Sequence, residues 1–474
     1  MNLSSLEPLS KDELQEIHLA SLDVLETVGV KIEDGVTLRL LEEAGANVHY
    51  KEKAAKIPSA LVEDMIKKTP SQFTLFAREP AFNLHVGTGQ PFFTTGNAVE
   101  IIERGKRRKI TRKDFSDFVR LVDALKNVHF CTGTNMADVP PKICDVHQIE
   151  IMANNTVKHM RPCISSVGGA KFILKMASIL VGGEDALTKK PITHVGYTLL
   201  TPLRWSATSL QVFRETAKYN IPVNIESEPM SGGTSPVTLA GTLVIANAEV
   251  LSGIVLNQLY REGRPCVYSI GFAHTMDYRT TEPLTGSPEV ALIVAAGAQL
   301  ARYYRLPSLS WVCTDSRTVD AQSIYEKSLQ FMMHILSGND LIWGVGNIDS
   351  SYCISPEQAV MDNEVISMVN RMREGIKITE DTLALDVIRR VGIGGTFLGE
   401  RHSLSHYIKE HVQADITYRH SSGTWQKMGS KSMEERAGEK AKELMETHQV
   451  VPLDRDIQQQ LHEIVKEAEK WALS

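Results

Sequence analysis

The chain has 474 residues, 42% hydrophobic and 23% charged, the balance of a folded soluble protein rather than a disordered one. A formal charge of −6, with no polybasic run, leaves no electrostatic case for nucleic acid or a membrane surface as partner. The length accommodates two or three domains, or one large barrel with terminal extensions.

The opening residues, MNLSSLEPLSKDELQEI, lack the basic start and apolar core of a signal peptide. Apolar residues at Leu14, Ile17, Leu22 and Leu25 then recur at helical spacing, and Ser10 with Glu13 three residues on reads as a capping box. A second helix is predicted over 36–44, ended by Gly45. FTLFAR (73–78), FNLHVG (82–87) and PFFTTG (91–96) read as short strands.

From there a repeating pattern sets in. Apolar runs at 91–97, 129–135, 162–169, 193–198, 222–227, 265–272, 307–315 and 340–347 alternate with helix-period segments at 113–126, 143–158, 170–181, 207–219, 237–262, 287–304, 319–336 and 355–373. Near-continuous apolar strands separated by helices imply a parallel sheet covered on its outer face. Eight such units predict an α/β protein with a closed (β/α)8 TIM barrel over 91–373, carrying helical extensions at 1–90 and 374–474. The most apolar stretch, 238–260, contains Asn247, Glu249, Asn257 and Gln258, too costly for a lipid-facing span, and is read as a buried helix. Helices are expected in the tail at 379–391, 402–411, 432–447 and 456–472. Six cysteines without CxxC spacing, four of them inside apolar runs, predict reduced thiols and a cytoplasmic protein.

In such a barrel the active site lies where the strands end, so eight places can be searched. The exits offer Asn97, Asn135, Ser165, Ser166, Thr198, Glu226, Glu228, Phe272, His274, Asp315, Asn347 and Asp349, with Trp205, Trp311, Trp343 and Tyr352 nearby. Carboxylates beside aromatic faces suit a cation, above all a quaternary ammonium that cannot donate a hydrogen bond. The plainer reading is that the acids cap helices and the tryptophans fill barrel layers. Asn97, Glu226, Phe272, His274, Trp311, Asp315 and Asn347 are the candidate substrate-binding residues, and no catalytic side chain is assigned.

Other motifs say less. SGGTSP (231–236) lacks the lysine of a phosphate-binding loop and reads as a helix entry turn. His402 and His406 have metal-pair spacing but no HExxH frame, and read as a helical surface pair. Cys313 and His274 could meet at the mouth, without the paired spacing of a zinc site. No metal is expected. No GxGxxG follows a strand, and no lysine stands in a strand or at its exit, which argues against dinucleotide, Schiff-base and pyridoxal chemistry.

TSPVTLAGTLVIANAEVLSGIVLNQL (234–259), SRTVDAQSIYEKSL (316–329), SPEQAVMDNEVISMVNRMREGI (355–376) and GGTFLGERHSLSHY (394–407) closely resemble the trimethylamine methyltransferase superfamily. The resemblance covers essentially the whole chain. It implies a (β/α)8 barrel that passes a methyl group from an amine to the Co(I) corrinoid (cobalamin) of a separate partner protein, with no cofactor permanently bound. The trimethylamine branch keeps a pyrrolysine in the barrel, expected near the eighth strand; here all positions are standard residues. That departure favours the non-pyrrolysine branch, which acts on quaternary amines such as glycine betaine. Charge leaves nitrogen as the methyl departs, so a mostly aromatic and polar cage is expected, with the acids set back. A zinc-dependent corrinoid methyltransferase with another donor and a non-catalytic betaine-binding protein are the alternatives. The helical extensions suit subunit contacts, predicting a homo-oligomer.

Overall fold

The computed structural model describes residues 6–473; Met1–Ser5 and Ser474, at the outer edges of the two expected extensions, lie outside the described residues. Eight parallel strands form the centre: β1 (Phe92–Thr95), β2 (Phe130–Thr132), β3 (His159–Arg161), β4 (Val195–Thr198), β5 (Val223–Glu226), β6 (Cys266–Gly271), β7 (Ser308–Trp311) and β8 (Leu341–Val345). Hydrogen bonding runs in the order β3-β2-β1-β8-β7-β6-β5-β4, and a parallel bridge from Met160 to Thr193 brings the two ends together. The result is a nearly closed TIM-like barrel. β2, β3, β5, β6, β7 and β8 are buried along their full lengths, as strands packed on both faces must be.

Eight helices cover the barrel: Arg112–Ala124, Cys144–Asn155, Val167–Val181, Ala207–Ala217, Leu239–Tyr260, Pro288–Tyr303, Ala321–Leu336 and Pro356–Glu374. The apolar helix Leu239–Tyr260 is long enough to cross a membrane, yet it is mostly buried in the protein. Most of its polar groups are satisfied there, Asn257 Oδ1 being an exception. Asn247 donates to Ser21 Oγ (3.0 Å) and Tyr304 Oη (2.9 Å), and Glu249 accepts from the Leu203 amide (2.7 Å). Buried amides and carboxylates placed this way fix which face of a long apolar helix meets which neighbour.

The first helix, Lys11–Asp23, carries the capping box of Ser10 and Glu13, and the second spans Gly35–Glu43 before Gly45 at φ +98°. In the tail, the helix expected over 379–391 is broken in two, Glu380–Leu383 and Leu385–Val391, by Ala384 in the left-handed region. Arg401–Glu410, Met433–Thr447 and Arg455–Leu473 follow.

Two differences from the sequence reading bear on the site. The third strand is HMR, not PCISSVGG: Pro162 has no amide to give the ladder, and Ser166 turns to cap the helix Val167–Val181 by accepting from the Gly169 amide. Beyond the barrel a small sheet was missed. The hairpin Glu100–Glu103/Lys106–Lys109 joins Asn347–Ile348 and Cys353–Ile354. Its outer strand, KRRK, is exposed at every position, so no apolar alternation announced it.

Candidate active site at the barrel mouth

The strand exits of β1 to β8 converge on a cavity of about 410 Å³. A larger cleft of about 620 Å³ lies on the flank between Lys171, Glu184 and Ile457, but it lacks the convergent buried polar groups of the mouth.

Three rings form one wall. Phe272 lies near-parallel to Trp311 with centroids 5.8 Å apart and meets Trp343 edge-on at 5.1 Å; the two indoles are 6.4 Å apart. β6, β7 and β8 are neighbours in the sheet, with Trp311 opposite Trp343 in register, which is why rings distant in sequence share a wall. Trp343 is held by its indole N–H, which donates to Thr132 Oγ1 on β2 (2.8 Å). Among the described residues, the buried Trp311 indole N–H has no partner.

Opposite stands Arg161, the last residue of β3. Its guanidinium donates through Nη2 to Glu226 Oε1 (2.6 Å) and lies 5.3 Å from the Trp343 ring centre. The remaining Glu226 oxygen accepts from Thr198 Oγ1 (3.2 Å). Glu226 is therefore neutralised within the protein, and Arg161 Nε is buried without a partner among the described residues. Gly196 of β4 makes room for the pair, since a Cβ there would meet Arg161 Nη2 at 2.0 Å and Glu226 Oε1 at 2.5 Å.

Among the described residues Glu228 has no such cation. Its open surface faces the cavity while the carboxyl sits deep in the protein mass. Burial first, then the nearby Glu226 charge, push it up to about 7. It is the one mouth carboxylate poised to change charge near neutrality.

The eighth exit is a built turn. Gly344 sits at φ +108°, with Val312 O only 2.0 Å from where a Cβ would lie. Asp349, Ser350 and Ser351 follow in succession at φ +53°, +48° and +70°. A run of non-glycine residues in this region costs about 1–2 kcal/mol per residue, and it persists because every side chain is used. Asp349 pairs with Arg107 and with Arg317 (2.9 Å), Ser350 donates to Asp315 Oδ1 (3.0 Å), and Ser351 donates to Asn97 O (3.0 Å). Ser350 and Ser351 thereby present themselves to the cavity.

Of the seven predicted binding residues, the structure brings Asn97, Glu226, Phe272 and Trp311 to the cavity and leaves three behind it. Asp315 is consumed by structure, accepting from the Thr285 amide (2.7 Å) and hydroxyl (2.7 Å) and the Gly286 amide (3.1 Å). Asn347 is fully buried, donates to Asn97 O (3.0 Å) and Ser351 Oγ (2.9 Å), and presses against Gly96. His274 lies on the short strand His274–Met276 in the β6 loop, with Nδ1 3.1 Å from Phe272 O; burial lowers its pKa. Among the described residues, no three-ligand cluster includes His274 or Cys313. Burial pushes the thiols of Cys163, which lines the cavity, and Cys313 up to about 11 and 12.

The principal omission was Arg161. Its signal was the run KHMRP, where a strand ending one residue before proline puts the arginine at the exit; reading the strand from Pro162 hid it.

The whole length matches one family model, described as trimethylamine methyltransferase (MTTB), over residues 1–471. The chain belongs to the trimethylamine methyltransferase family. A relative in Desulfitobacterium hafniense named trimethylamine methyltransferase MttB is 38% identical over 97% of this chain and 93% of its own length. A protein of the same species named glycine betaine methyltransferase is 34% identical over 88% of each chain. The crystal structure of the Methanosarcina barkeri monomethylamine methyltransferase MtmB has a similar fold, with TM-score 0.55 and 14% identity over 95% of this chain and 90% of that one. Family membership makes the chain a methyltransferase, and the barrel mouth is where its chemistry has to be sought.

Proposed function

We propose that this methyltransferase takes a methyl group from a betaine-type quaternary amine and passes it to the Co(I) corrinoid of a partner corrinoid protein. The observation that carries the reading is the wall of Phe272, Trp311 and Trp343 facing a mouth in which Glu226 is already neutralised. Aromatic faces hold a quaternary ammonium without giving it a hydrogen bond or a full counter-charge. That balance matters because the C–N bonding pair stays on nitrogen as the methyl leaves. The donor's positive charge is lost, and a closely paired carboxylate would stabilise the ground state more than the transition state.

A neutral tertiary amine is then released, so the protein need supply neither nucleophile nor general acid. Its work is to orient one N–CH3 bond toward the open rim, exclude water, and keep the ammonium against the rings. At the other end of a betaine, the unpartnered N–H groups of Arg161 and Trp311 are two buried donors that a carboxylate would satisfy. The absence of any non-standard residue and the 34% identity to a glycine betaine methyltransferase support the same reading.

The methyl acceptor belongs to the partner protein and is a substrate here. The test is incubation with reduced cognate corrinoid protein and a panel of betaines, following methyl-cobalt formation optically. Methylation with at least one quaternary amine, and none with trimethylamine, is expected. Failure with every quaternary amine, under conditions where trimethylamine reacts, would overturn the proposal.

A further inference from the structure

From Asn370 to Asp415 no residue of the chain is buried. The segment nevertheless folds into Glu380–Leu383, Leu385–Val391 and Arg401–Glu410, with Ile378, Ile393, Leu398, Leu404 and Ile408 on its surface. Short helices without a core need another source of order, and a bound metal is one of the few available to a small unit.

The segment contains the only cluster of three or more potential metal ligands among the described residues. Asp381, His402 and His406 each offer one ligand atom, and these lie within 4.8 Å of one another. His402 and His406 stand one turn apart on the helix Arg401–Glu410, their rings stacked 4.1 Å apart. His406 Nδ1 is 3.0 Å from His402 O, and a carbonyl can only accept, so that nitrogen carries a proton. This leaves Nε2 as the ligating atom. It faces Asp381 Oδ2 at 3.0 Å, a separation that suits adjacent ligands at metal–ligand bonds of about 2.0–2.2 Å. On His402 it is Nε2 that lies 3.0 Å from a carbonyl, Asp381 O, so there Nδ1 is the nitrogen left to ligate. An outer hydrogen bond that fixes the tautomer of a ligating histidine is the usual support of such a site.

We propose that Asp381, His402 and His406 form a divalent-metal site of zinc class that staples the helix Arg401–Glu410 to the turn Glu380–Leu383. Two imidazoles and one carboxylate give a borderline donor set suited to Zn²⁺, with the remaining coordination filled by water. The site shares no residue with the barrel mouth, and its role is to order the C-terminal extension.

The full-length protein, stripped with chelator, is titrated with Zn²⁺ and separately with Co²⁺ as a spectroscopic probe. One equivalent is expected to bind, with a visible Co²⁺ spectrum of nitrogen and oxygen ligation and slowed proteolysis within 376–413. Asp381→Asn and the double variant His402→Ala/His406→Ala should lose the equivalent and the protection, while barrel unfolding measured by circular dichroism stays put. Equal uptake in wild type and variants, or no uptake at micromolar metal, would overturn the proposal and leave the three residues as an ion pair.

Discussion

Removal of Lys327 tests whether the eighth exit is held from behind by a buried charge pair. Lys327 Nζ, fully buried, donates to Gly344 O (2.9 Å), Asn347 O (2.9 Å) and Asp362 Oδ2 (2.6 Å). Asp362, equally buried, also accepts from the Gly346 amide (2.7 Å) and Gln358 Nε2 (2.9 Å). One pair therefore fixes both sides of the Gly344–Asn347 turn. In Lys327→Met the carboxylate loses its cation, which costs about 3–5 kcal/mol, and two buried carbonyls lose a donor, worth about 1–3 kcal/mol each. An unfolding entropy of about 2.1 cal/mol/K per residue gives a chain of this size about 1 kcal/mol/K, so the midpoint should fall by about 5 °C or more.

The loss should also depend on pH. Burial already raises the Asp362 carboxyl above its usual range, and Lys327 is what pulls it back; without Lys327 it rises further. A group whose folded pKa is raised binds its proton more tightly in the native state. Stability is then lost as pH climbs from the unfolded carboxylate value through the folded one. Calorimetry on wild type and variant at pH 5.5 and 8 should show the larger deficit at pH 8. A deficit under about 1 °C at both values would refute the account of the turn.

Three further outcomes are expected. Betaine affinity measured calorimetrically should increase about fivefold between pH 6 and 8 as Glu228 ionises, where one nearby charge in partly screened surroundings is worth about tenfold in full, and Glu228→Gln should flatten the profile. Arg161→Ala, which strands Glu226 in the wall, should cost about 3–5 kcal/mol in thermal unfolding, whereas Arg161→Lys should recover most stability but not betaine binding, for want of the planar contact with Trp343. Gly344→Ala, forced against Val312 O at φ +108°, should fail to give soluble protein, while Gly182→Ala, at φ +89° in open space, should cost only about 1 kcal/mol in the same expression and melting assay.

The barrel was legible because its signal is carried by repetition: one apolar run lost or shifted does not break an eightfold pattern. The mouth was legible only in part, because strand exits depend on register to the residue. A boundary placed three residues late at β3 moved the predicted exit from Arg161 to Ser165 and Ser166. Ser166 is a helix cap, whereas Ser165, whose amide donates to Asp145, does line the cavity beside Arg161. Asp315 and Asn347 were placed at their exits correctly, yet which way each points is set by partners such as Thr285 and Ser351, far away or hidden in a left-handed turn.

The carboxylates show the consequence for function. Read along the chain, Glu226 and Glu228 are two equal acids two residues apart, and period-two alternation would send both to one side of a strand. The structure separates their roles by what stands opposite. Arg161 takes Glu226 out of the field that an incoming cation meets, while Glu228 keeps its face to the cavity and its proton near neutrality. On the proposed betaine reading, a mouth with both acids free would hold the quaternary ammonium too tightly to let its charge go. With one cancelled and the other able to protonate, the attraction left for the donor comes from the rings and a single adjustable charge. On that reading, the arginine missing from the sequence reading is the residue that makes the mouth's acidity compatible with methyl transfer.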